Sequence, residues 1–244
     1  MMLAYLKFEL RRMYREPRLI IFTIAMPVII FLGTSSAYST DDAAETRKTM
    51  TFLMVAWAAY GAMIGTFSTG VGVSQERSSG WLRQLRITPL PPLRVVVIKA
   101  IAATLVAIPA VIVVSLIGGL VKGVEMDATQ WISLVALMWL GSAPFALLGL
   151  ALGFLLPPQL APPASFLITF TLAFAGGIFL PLDMMPSGLA AAARWMPSYR
   201  FAEFGWSVLD KQAPPMLGVA IVIGWTVVFA LFASLTYRRS AAQK

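Results

Sequence analysis

Charged groups are scarce in this chain, and where they gather is the first clue to its chemistry. The stretch Gln75–Pro92 reads QERSSGWLRQLRITPLPP and carries Glu76, Arg77, Arg83 and Arg86. It is the only long polar break in the first half of a 244-residue chain that is 59% hydrophobic and 12% charged. Soluble domains carry about 25% charged residues. There is no histidine and no cysteine. That removes imidazole bases, thiolate nucleophiles and the usual zinc ligands, and no metal site is expected. No G-x-x-x-x-G-K-[ST] occurs, so the chain has no such loop for ATP. Carboxylates do not pair within an apolar run, and Asp183 stands at the edge of one. Ion-coupled carriers and intramembrane proteases need ionisable groups at depth, so both are disfavoured. If this protein moves something, its energy comes from elsewhere.

The elements that hold Gln75–Pro92 are membrane helices. A bilayer core needs roughly 20 apolar residues per helix. Six runs are expected to span: about 19–38 with Pro27 inside, 50–74, 95–120 with Pro109 inside, 131–156, 164–182 and 215–237. Only PPQLAPP separates the fourth from the fifth, which predicts a tight turn. Residues 39–48 read as a short acidic loop. In residues 1–18, Leu3, Leu6, Leu10, Met13 and Tyr14 share a face beside Lys7, Arg11, Arg15 and Arg18. That spacing predicts an amphipathic helix lying in the membrane interface; a generic basic flank is the plainer alternative. Six spans put both termini on one side. That side carries thirteen Lys and Arg, in residues 1–18, 75–99 and the tail, against six on the other. The positive-inside rule makes it cytoplasmic. The net charge of +8 is then explained by loops and not by nucleic acid.

On the second run Leu53, Trp57, Tyr60, Ile64 and Phe67 share a helical face, and on the fifth Phe166, Phe170 and Phe174 do. These faces suit an apolar substrate path, or ordinary helix and lipid packing. Residues 183–214 hold two short helical patterns, begun at Pro186-Ser187 and Pro197-Ser198, with each serine expected as an N-cap. Neither is long enough to span, so they are expected to dip into or lie on the outer leaflet, or to form an ordered surface loop. Gly61/Gly65 and Gly149/Gly153 are G-x-x-x-G pairs that permit close helix approach. Within Gln75–Pro92, Trp81, Leu82 and Leu85 would lie on one side of a short helix that Thr88-Pro89 ends. The chain reads as one all-α membrane domain, 1–244.

The run E-R-x-x-G-x-L-x-x-L-x-x-T-P-L is present as Glu76, Arg77, Gly80, Leu82, Leu85, Thr88, Pro89 and Leu90. In it the chain resembles permeases of the ABC-2 family, the membrane subunits of type V ABC exporters of the drug and lipid efflux type. A second, looser likeness is GGIFLPLDMMP at 176–186, followed by Trp195-Met196-Pro197-Ser198-Tyr199. Ser78-Ser79 and Arg83 depart from the pattern, where many members carry further acidic residues.

The resemblance implies a half-sized permease in a bacterial inner membrane. Two copies would pair as a homodimer above two copies of a separate nucleotide-binding subunit, which would hold ATP and Mg. This chain itself would be no enzyme and carry no cofactor. Residues 75–92 would be the cytoplasmic coupling helix, with Glu76, Arg77, Gly80, Leu82, Leu85, Arg86, Thr88 and Pro89 facing the ATPase. Residues 1–18, with Arg11, Arg12 and Arg15, would be the connecting helix, and 183–214 an extracellular re-entrant pair. Trp57, Tyr60, Ile64, Phe67, Phe166, Phe170 and Phe174 would line the path of a drug, antibiotic or lipid among membrane lipids. A permease for lipid-linked glycan and a non-transporting sensor or resistance subunit are the alternatives.

Overall fold

The computed structural model describes residues 20–38, 42–80 and 92–242, together with Lys7, Arg11 and Glu16. The described residues form helices and turns, with no strand. Helix α1 (Met26–Ala37) is preceded by a π-helical turn, Ile21–Ala25, in which the Met26 amide bonds Ile21 five residues back. Pro27 has no amide to give the Thr23 carbonyl, and the chain widens there. Helix α2 (Ala43–Val71) continues through Gly72 into α3 (Val73–Ser78). Helices α4 (Pro92–Leu105) and α5 (Ala107–Lys122) form one bent rod, broken at Val106, where Pro109 lacks the amide that would close on Leu105. Helices α6 (Ala128–Gly141) and α7 (Ala143–Leu155) form another, broken at Ser142 ahead of Pro144. Then follow α8 (Ala161–Ala175), a 3-10 turn at Leu182–Met184, α9 (Ser187–Ala193), α10 (Pro197–Leu209) and α11 (Met216–Ala242).

The α2–α3 rod is the centre of the bundle, with α1, α5, α7, α8 and α10 packed round it. Its apolar window is 78% buried, against 22% for α11 at the periphery. Glycines bring the backbones together. A Cβ on Gly61 would lie 2.7 Å from the Thr23 carbonyl freed by Pro27. One on Gly70 would lie 2.5 Å from the Leu150 amide, and one on Gly149 would run into the Phe67 carbonyl. Both G-x-x-x-G pairs are thus used, one against α1 and one at the α2–α7 crossing.

Four rods among the described residues are long and apolar enough to cross a membrane: Ala43–Ser78, Arg94–Lys122, Ala128–Leu155 and Met216–Ser240. Ile21–Ala37 and Ala161–Ala175 are shorter apolar helices.

Several boundaries differ from the sequence expectation. The acidic loop expected at 39–48 is helical from Ala43, because the Asp42 carboxylate accepts the Ala44 amide at 2.8 Å and starts α2 early. The fifth run stops at Ala175, since Gly176 and Gly177 (φ +72°) turn the chain. Ser187 and Ser198 are not N-caps. Pro186 and Met196 hold those positions without a side-chain cap, and Ser198 donates its hydroxyl to Leu172 O at 2.6 Å, tying α10 to the end of α8.

Candidate functional site

At the end of the central rod the sequence places an acid and a base in succession, and the fold sends them in different directions. Glu76 lies on the inner face of α3 and meets Lys99 of α4, Oε2 to Nζ 2.7 Å, with side chains 7% and 4% exposed. Arg77, one residue on, points the other way. Its guanidinium donates to Phe154 O and, at 2.9 Å, to Leu156 O. Those carbonyls end α7 and have no helical partner of their own, so the arginine caps that helix. The Ser78 and Ser79 hydroxyls turn back onto Gln75 O and Glu76 O. Gly80 then takes φ +78° and turns the chain out of the helix. Three helices, α3, α4 and α7, are therefore tied at the two ends of the 81–91 segment.

Leu82, Leu85, Arg86, Thr88 and Pro89 lie outside the described residues, and so does the expected short helix. Arg12 and Arg15 do too, while Arg11 is exposed. Glu76 and Arg77 were expected to face another protein, and here both make internal contacts. Lys99 was counted only as one more cation. Its signal was available: a lone lysine well inside an apolar helix implies a partner.

Beside the ion pair lies a cavity of about 440 Å³, between the start of the α1 region, the α2–α3 junction, Lys99 and the first turns of α8. Ile64 and Phe166 line its apolar side, and Ser74, Ser165, Glu76 and Lys99 its polar side. The hydroxyls of Ser74 and Ser165 are buried and have no hydrogen-bond partner among the described residues. The aromatic faces are joined by a ring the sequence reading did not single out. Phe179 stands 4.9 Å from Tyr60, 5.1 Å from Trp57 and 5.8 Å from Phe170, between ring centroids. Phe166 stacks on Phe170 at 6.1 Å. Phe67 is fully buried in the bundle core, and Phe174 is exposed on α8.

The far end of the bundle is held by polar contacts as well. Arg200 bonds both oxygens of Glu203 at 2.9 Å and Arg194 O at 2.6 Å. Gln130 closes a capping box with Asp127 and also donates to Val208 O and Leu209 O. The Asp127 carboxyl is held below the usual carboxylate range, first by the Gln130 amide and then by Lys211. Among the described residues no group of His, Cys, Asp and Glu could hold a metal ion.

Comparison with known proteins agrees with this architecture. The chain is similar to the putative transport permease YvfS of Bacillus subtilis (strain 168), with 24% identity over 236 residues covering 96% of each chain. A family model described as "ABC-2 family transporter protein" matches residues 38–236, most of the chain and all of the helices from α2 to α10. The protein is a member of the ABC-2 family, an integral membrane transport permease subunit.

Proposed function

We propose that this chain is the membrane half of an ATP-driven exporter. Two copies pair in a bacterial inner membrane with both termini cytoplasmic. Six helices cross, α9 and α10 re-enter the outer leaflet, and a separate nucleotide-binding subunit docks under each copy. The cargo is hydrophobic or amphiphilic, and its path runs along α2 and α8.

One observation supports this reading most directly. The two ends of the 81–91 segment are fastened to three helices, by Glu76–Lys99 and by Arg77 on the end of α7. A push on that segment would move α3, α4 and α7 together, as a coupling device must. Family membership supplies the partner class, since ABC-2 permeases generally work with a separate ATP-binding subunit. Trp57, Tyr60 and Phe179, packed on one another between α2 and the segment after α8, suit an apolar cargo, and the exposed Phe170 and Phe174 suit a facing second copy.

The test is reconstitution in proteoliposomes, with and without any ABC-type ATPase found encoded adjacent to this chain. The purified chain is expected to hydrolyse no ATP, while the complex hydrolyses it and drives an amphiphilic dye across the bilayer. Hydrolysis by a preparation free of partner, or failure of any adjacent ATPase to co-purify, overturns the proposal.

A further inference from the structure

We infer that the cavity beside Glu76 and Lys99 is a binding site within a single protomer for an amphiphile with an uncharged, hydrogen-bonding head group. This rests on the transport reading above and specifies the ligand class. The cavity has the volume of a small-ligand site, about 440 Å³. Its rim carries Phe22 and Phe166, both about half exposed, which give an alkyl chain an apolar way in from the lipid. Its inner wall carries the hydroxyls of Ser74 and Ser165, 1% and 3% exposed and without a hydrogen-bond partner. Buried polar groups in native proteins are normally satisfied, and each exception asks for a reason. Here two exceptions from different helices line one cavity. Thr169, a turn deeper on the same face of α8, is a third buried hydroxyl without a partner.

The charge of the head group follows from the ion pair. Glu76 and Lys99 are 2.7 Å apart and nearly sealed from solvent, so among the described residues the cavity's inner end holds one negative and one positive charge, in contact with each other. A charged head group placed there would lack a free counter-ion in a low-dielectric setting, or would have to break the pair. Among the described residues the other charged group at the cavity is Glu16, which is exposed. Hydroxyl donors and acceptors without net charge match an alcohol, ester or amide head.

The experiment uses the chain with its ATPase partner in phosphatidylcholine nanodiscs. Three photoactivatable hexadecyl probes are compared, ending in glycerol, carboxylate and trimethylammonium, and labelled peptides are mapped by mass spectrometry. The glycerol probe is expected to label 64–76 and 162–166 in preference to the charged probes. Ser74→Ala with Ser165→Ala should cut that labelling by about tenfold, the combined worth of two neutral hydrogen bonds. The double variant should melt no lower than the parent, because it removes hydroxyls that satisfy nothing in the empty site. Equal labelling by all three probes, unaffected by the substitutions, means a lipid-filled crevice and overturns the inference. Preference for a charged head also overturns it. Specific glycerol-probe labelling without ATP-driven movement of that probe upholds the site and sinks only the transport reading.

Discussion

Lys99 illustrates how one side chain changes the meaning of another. Glu76 looked like a group offered to a partner, yet its carboxylate is 7% exposed and 2.7 Å from the Lys99 ammonium. Removing one member of a buried ion pair costs about 3–5 kcal/mol, because the other is left charged and desolvated. Lys99→Met is therefore expected to lower thermal stability of the purified chain sharply, and Glu76→Gln to do so less. A double-mutant cycle with charge reversal, Glu76→Lys and Lys99→Glu, should recover part of the loss, with a coupling of about 0.5–3 kcal/mol. Additive losses in that cycle would show that the two side chains do not act on each other. Asp127 gives a pH test outside the membrane segments. Its carboxyl is held below its ordinary value by the Gln130 amide and by Lys211. A depressed folded-state value stabilises above the unfolded-state value, and the contribution disappears as pH falls through the folded-state value. Asp127→Asn keeps the cap but cannot ionise, so its melting temperature should show a weaker fall on acidification than that of the parent.

Among the elements, the α2–α7 crossing is the most constrained. Gly70, Gly149 and Gly153 leave no room for a Cβ between the rods, and the obstacles are backbone atoms that cannot rotate away. Gly149→Val is expected to prevent assembly of the bundle, read as loss of a monodisperse peak after detergent extraction. Gly33→Val, whose site is open to at least 4 Å, should not. Arg77 acts just beyond that crossing, at the end of α7. Arg77→Ala frees the carbonyls of Phe154 and Leu156, and a hydrogen bond to a charged group is worth about 1.5–3 kcal/mol. Amide exchange should rise over 152–160 while the distant α10 stays protected; unchanged exchange would remove the clamp. The sequence was informative about these rods in proportion to the range of the signal. Apolar runs are local, and they showed where α2 through α7 and α11 lie. The G-x-x-x-G pairs were visible, but their mates are set by packing between distant segments. Ser198 carried the signature of an N-cap, and tertiary contact with Leu172 claimed its hydroxyl instead. The cavity was illegible for the same reason, since Ser74, Lys99 and Ser165 come together only in the folded bundle.

Two of the apolar helices are short for a bilayer. Ile21–Ala37 and Ala161–Ala175 reach about 25 and 22 Å at 1.5 Å per residue, against a hydrocarbon core of about 30 Å. Non-helical backbone is tolerated at depth only where protein buries it. The chain after α8 meets that condition: Gly176, Gly177 and Ile178 are buried, and Ser198 of α10 bonds the last turn of α8. In the six-span arrangement proposed above, α10 would supply, in packed protein, the length that α8 lacks. If α8 crosses in this way, Gln159 before it and Gly188 after it face opposite sides of the membrane. The absence of cysteine makes the test clean. Ser78→Cys, Gln159→Cys and Arg239→Cys, all at exposed positions, are expected to react with a membrane-impermeant maleimide only from the cytoplasmic side. Glu125→Cys and Gly188→Cys, also exposed, should react only from the outside, and a Cβ at 188 meets nothing within 4 Å. Labelling of 159 and 188 from the same side would mean that α8 does not cross. The five remaining spans would then leave the basic ends on opposite sides of the membrane, and the six-span exporter would fail with it.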